Sequence, residues 1–180
     1  LGRPVGEPTA APGPTGEVLI RAAQVKDGYD RLWLTQYRSA QPAGFHRSGD
    51  VGRLDEAGRL WIEGRLVHVI RTEKGPVTPV AIEHAAQTVD GVDLAAAVGV
   101  GPDGAQQVVV VVATSPAVRR PRLADTTLAD RVRGAVAAEV AAVLEVPALP
   151  VDKRHNSKIN RTRVAEWAAG VLAGGRFGRL

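Results

Sequence analysis

Two short segments hold the side chains best suited to chemistry. Residues 45–65, "FHRSGDVGRLDEAGRLWIEGR", contain Asp50 and Arg65, and residues 152–161, "DKRHNSKINR", contain His155, Asn156 and Lys158. An ionised carboxylate such as Asp50 has two oxygens and can accept a pair of hydroxyl donors at once. Arg65 presents a planar fork of N–H donors that matches phosphate oxygens. Lys158 is a compact ammonium able to neutralise negative charge that develops as a bond forms. Each also has a plainer reading: a turn aspartate after Gly49, a strand-end arginine, and one solvated lysine on a basic loop. Taken singly, Asp50 is evenly balanced, and the plainer reading wins for the other two.

The elements that must position these residues are readable from pattern. Two β-prone runs flank Asp55–Gly58, and Gly58 suits the positive φ of a tight turn, so residues 49–65 form a predicted hairpin. Residues 6–16 are Pro- and Gly-rich loop, residues 16–22 alternate as a strand, and "KDGYD" and "SAQPAG" mark turns. Beyond Arg65 the pattern predicts a strand at 66–71, a turn at 72–75 and a helix opened by Pro79. The apolar runs 94–101 and 106–114 read as two buried strands. Residues 126–145 have apolar side chains three to four apart, predicting one amphipathic helix opened by a Thr cap and ended by Pro147 and Pro150. A polar loop and a last helix over 162–175, closed by glycine, complete the chain. The expected fold class is α+β. A β-rich, barrel-like remnant of a larger domain occupies 1–64, and a small domain over 65–180 has a short antiparallel sheet flanked by helices. The boundary at Gly64–Val67 suits a hinge, and Val67, with no charge to hydrogen-bond, is expected to be restrained by packing.

Composition narrows the chemistry. The 180 residues include no cysteine, which excludes disulfides, thiol catalysis and cysteine metal sites and fits a cytoplasmic setting. Four scattered histidines lack metal-ligand spacing, so no metal site is expected in this chain. No apolar run approaches the ~20 residues of a membrane span. The first residues lack a signal peptide's charged start and apolar core, and read as a chain that begins inside something larger. Residues 147–180 hold seven Lys/Arg against two acids. Sparse aromatic residues argue against nucleic acid, leaving one small anionic ligand or surface solubility to explain that charge.

"GEVLIRAAQVKDGY", "FHRSGDVGRLDEAGRLWIEGR" and "HNSKINR" occur in the order and spacing of the C-terminal third of adenylate-forming enzymes, and the chain resembles that superfamily over nearly its whole length. The resemblance implies that Asp50 binds both ribose hydroxyls of ATP and that Arg65 reaches the nucleotide. It implies that Lys158 swings in with the small domain to contact the acid substrate and the α-phosphate, on a loop kept mobile by Asn156 and Ser157. The phosphate loop, acid pocket and Mg2+ carboxylate of the family belong to a large N-terminal domain absent here, so the fragment is expected to be inactive alone. Val67 stands where the family carries Asp or Lys, and "RTEKGPVTP" replaces a glycine-containing loop that lines the pantetheine path in thioester-forming members. These departures, with His46–Arg47, "VTPVAIE" and the octet "DKRHNSKI", resemble the branch that forms β-lactones in bacterial long-chain olefin biosynthesis. There a substrate β-hydroxyl, not a thiol, attacks the acyl-adenylate. Other olefin-pathway enzymes are the partners this implies. A fatty-acyl-CoA ligase or adenylation domain, and a non-catalytic binding module with a basic tail, are the alternatives.

Overall fold

Alternation decides the first unit of the structure. The computed structural model describes residues 3–4 (backbone only), 15–21, 45–151 and 159–180. Most of the 6–16 loop, both expected turns before residue 45, and His155, Asn156 and Lys158 lie outside the described residues. The chain divides into two compact units, Leu1–Val67 and His68–Leu180. In the first, β1 (Arg3–Pro4), β2 (Gly16–Ile20), β3 (His46–Leu54) and β4 (Leu60–Arg65) pair antiparallel in the order β1-β2-β3-β4. Val18, Leu19 and Val51 are its buried apolar residues. The expected barrel does not appear: β1 and β4 are opposite edges, and the sheet is open among the described residues.

The β3–β4 hairpin closes as its sequence requires. Gly58 has φ +75° and donates its N–H to the Asp55 carbonyl at 2.9 Å. The Asp55 carboxylate does more. Oδ1 accepts the backbone N–H groups of Ala57 and Arg59, and Oδ2 accepts Arg59 Nε at 2.7 Å and the Trp61 indole at 2.9 Å.

In the second unit the run Val108–Val112 is buried on both faces of a sheet, as a continuous β-branched stretch demands. Strands β7 (Val92–Val100), β8 (Gln107–Thr114), β9 (Arg122–Leu123) and β10 (Val140–Val146) are ordered β7-β8-β10-β9. A two-stranded hairpin, β5 (Ile70–Thr72) with β6 (Gly75–Val77), precedes them. Successive side chains alternate between two cores. Val108, Val110 and Val112 pack with Ile82 and Ala86 of α1 (Pro79–Gln87) and Leu128 and Val132 of α2 (Thr126–Ala135). Val109 and Val111 pack with Val164 and Ala168 of α3 (Arg161–Leu172).

The α+β class, the hairpin, the β7–β8 pair and a helix opening at Pro79 agree with the sequence reading. Three local expectations do not. The single helix over 126–145 is a helix to Ala135 followed by β10, which pairs parallel with β8. Without β10 the backbone of β8 would be left unpaired on that side, and Val140, Val143 and Val146 suit a strand buried on both faces. The cap of α2 is Asp125, whose carboxylate accepts the Leu128 N–H at 2.8 Å, rather than a threonine. An ionised acceptor is also favoured at the positive end of a helix. Residues Leu66–His68 form a 3-10 turn in place of a strand, and no strand among the described residues pairs with them.

Candidate functional site

Asp50 and Arg65 face each other across the β3–β4 ladder, where they are register partners. Arg65 Nη1 donates to Asp50 Oδ1 at 3.0 Å, and both side chains remain partly exposed. Gly49, with φ +71°, turns the strand here, and the Arg65 guanidinium lies against its Cα side. The backbone of Asp50 is held by a short relay: its N–H donates to Ser48 Oγ at 2.9 Å, and that hydroxyl donates to the Val18 carbonyl at 2.8 Å. The second carboxylate oxygen of Asp50 accepts no hydrogen bond among the described residues. The arrangement offers an oriented anionic acceptor beside a guanidinium, both at the surface. Neighbouring Arg47 is engaged elsewhere, on Glu17 of β2 with Nε at 2.7 Å, and this hydrogen bond, then the charge, raises its pKa.

The root of the Lys158 loop is described on both sides. Val151 and Ile159 form a β-bridge, and Asn160 N–H donates to the Pro150 carbonyl at 2.8 Å. Asn160 also caps α3, its side chain accepting Arg163 N–H at 3.1 Å. One residue on, Arg161 grips Glu83 of α1 with two nitrogens, Nε at 2.7 Å. Glu83 is 4% exposed and also accepts the Ala97 N–H from β7 at 3.0 Å. Sequence reasoning missed this pair. Its signal was available: Glu83 lies on the buried stripe of α1, between Ile82 and Ala86, where an unpaired charge is not tolerated.

Val67 is 82% exposed within its 3-10 turn, so its side chain is not restrained by packing. The altered segment "RTEKGPVTP" forms the β5–β6 hairpin and the start of α1, and lines a cleft of about 530 Å³ with Gln106, Val108 and Glu139. Among the described residues no cluster of three His or acidic side chains is placed to hold a metal, so none is assigned to Mg2+. Among the described residues no helix is long and apolar enough to cross a membrane.

No family model matches the chain. The olefin beta-lactone synthetase of Xanthomonas campestris pv. campestris is 41% identical over 127 residues, covering 69% of this chain and 23% of that protein. That of Stenotrophomonas maltophilia is 36% identical over 175 residues, 90% of this chain and 31% of its own length. The chain thus spans less than a third of the curated relatives it matches. Among solved structures, ATP-bound MatB from Rhodopseudomonas palustris shares the fold at TM-score 0.76 and 22% identity, covering 94% of this chain and 33% of that one. With relatives of this kind along most of its length and the same fold, the chain belongs to the adenylate-forming, AMP-binding enzymes.

Proposed function

We propose that the chain is the C-terminal part of a cytoplasmic, ATP-dependent, AMP-forming enzyme that adenylates a long-chain β-hydroxy acid and closes it to a β-lactone for olefin biosynthesis. The observation that carries this reading is identity of 36% sustained over 90% of the chain with a protein named for that reaction. Residues 1–64 are then the end of the large domain, and residues 65–180 a mobile small domain hinged at Val67. The large domain supplies the acid pocket and the ligands of Mg2+, and other olefin-pathway enzymes are its partners.

In this reading Asp50 accepts the two ribose hydroxyls, for which a fixed backbone and a second oxygen unengaged among the described residues are the supporting features. Arg65 stays beside the same nucleotide. Lys158 approaches the α-phosphate and the substrate carboxylate, neutralising charge as carboxylate oxygen attacks phosphorus and pyrophosphate leaves. His155 and Asn156 line the loop that carries it. The substrate's β-hydroxyl then attacks the acyl carbonyl, the bond to the phosphate oxygen breaks, and AMP departs. Tethering gives that hydroxyl a high effective concentration, so no thiol is needed.

Hydroxyl dependence tests the reading. With ATP, Mg2+ and no thiol, the parent protein should release AMP over many turnovers from a β-hydroxy acid. The same acid lacking the hydroxyl should release about one equivalent of pyrophosphate and no AMP, the acyl-adenylate being retained. Equal turnover of both acids without thiol, or a need for CoA with both, would contradict it.

A further inference from the structure

Guanidinium groups in this molecule are as a rule neutralised. Among the described side chains, eight arginines pair with carboxylates. Arg131 donates to the Asp90 carbonyl, and Arg21 lies over the Phe45 ring. Arg119, Arg120, Arg163, Arg176 and Arg179 break the rule, their guanidinium groups having no hydrogen bond or ion pair among the described residues. All but Arg176 line one cleft of about 850 Å³, whose described lining residues all belong to His68–Leu180 and include no Asp or Glu.

Three separate stretches of chain deliver these charges, and two of them are anchored. Arg119 and Arg120 lead into β9. Arg163 stands in the first turn of α3, whose N-terminus Arg161 anchors to Glu83. Arg179 belongs to the tail after α3, which turns back at Gly174 (φ +93°). The Trp167 indole holds that tail by donating to the Gly178 carbonyl at 2.9 Å, and Leu180 packs on the Val164–Ala168 core. Phe177 and buried Leu149 add apolar wall. Gathering four like charges raises the free energy of the fold unless an anion joins them. Planar forks suit phosphate oxygens bidentately, and the volume lies in the range of small-molecule sites and well above a single phosphate.

We propose that this cleft binds a small molecule carrying two or more phosphate groups. Arg163 and Arg179, two of the seven basic residues of 147–180, find a role here that the adenylation site does not give them.

Calorimetric titration of the 180-residue chain with inorganic pyrophosphate at low salt is the test. Saturable one-to-one binding is expected, weakened by at least about tenfold in Arg120→Ala/Arg179→Ala, since each charge-assisted contact is individually strong. The control Arg71→Ala/Lys74→Ala removes the same charge from exposed ion pairs elsewhere in the unit and should change affinity less than about twofold. Both variants should keep the parent's melting temperature; if the first does not, Arg120→Glu alone carries the comparison. Equal losses in both double variants, succinate binding as tightly as pyrophosphate, or no saturable binding would overturn the proposal. So would tight binding of a glutamate-rich peptide that pyrophosphate fails to displace.

Discussion

At the scale of single residues, two aspartates fifteen residues or fewer from Arg65 hold very different tasks. The Asp55 carboxylate accepts from four donors, with the Trp61 indole first and the Arg59 backbone N–H second in holding its pKa well below the ordinary carboxylate range. A depressed folded value means a stabilisation present above the unfolded pKa of about 3.9 and lost as pH falls below it. The Trp61 indole signal in NMR should therefore hold its position from about pH 6 to 4 and shift only in more acid solution. In Asp55→Asn that acid shift should vanish, and an unchanged titration would refute the assignment. Asp50, by contrast, keeps an oxygen unengaged among the described residues. Asp50→Ala in the parent protein should raise KM for ATP by about tenfold or more, because a pair of hydrogen bonds to the nucleotide is lost. An unchanged KM would remove Asp50 from the nucleotide site.

At the scale of elements, the Glu83–Arg161 pair joins α1, β7 and α3, and so fixes the root of the loop that bears Lys158. Arg161→Ala leaves Glu83 buried without its partner and should cost about 3–5 kcal/mol in chemical denaturation. Adding Glu83→Gln, which keeps an acceptor for the Ala97 amide and removes the charge, should recover much of that loss. A cost near zero for Arg161→Ala would mean the pair is not buried in solution. Which elements were legible follows from how local their causes are. The β3–β4 hairpin carries its own turn residues, and the Val108–Val112 run can hardly be anything but a buried strand. The stretch from Val136 to Val146 was misread because alanine and glutamate give it helical periodicity. What makes Val140–Val146 a strand is a partner, β8, about thirty residues earlier in the chain. Asp125 was overlooked for a neighbouring threonine, although only the aspartate combines an extended backbone with a charged acceptor.

At the scale of the whole molecule, the site was legible in part. Asp50 and Arg65 could be named from type and spacing, yet their mutual pairing came only from strand register. Glu83 and Arg161 lie 78 residues apart, and no local pattern joins them. The arginine cleft draws on three stretches, and only Arg163 and Arg179 fall in the basic stretch that the sequence shows. For Lys158 the proposal makes a kinetic claim: Lys158→Ala in the parent should lower kcat for adenylation by about 10²–10³ while ATP affinity stays nearly constant. Loss of ATP binding with unchanged turnover would assign the lysine to the nucleotide rather than to the reacting phosphorus. The central claim is the product itself. The parent protein, given a long-chain β-hydroxy acid, ATP and Mg2+, should yield by mass analysis a β-lactone with one AMP per lactone, whether or not CoA is present. Acyl-CoA as the sole product, with nothing formed until CoA is added, would contradict it.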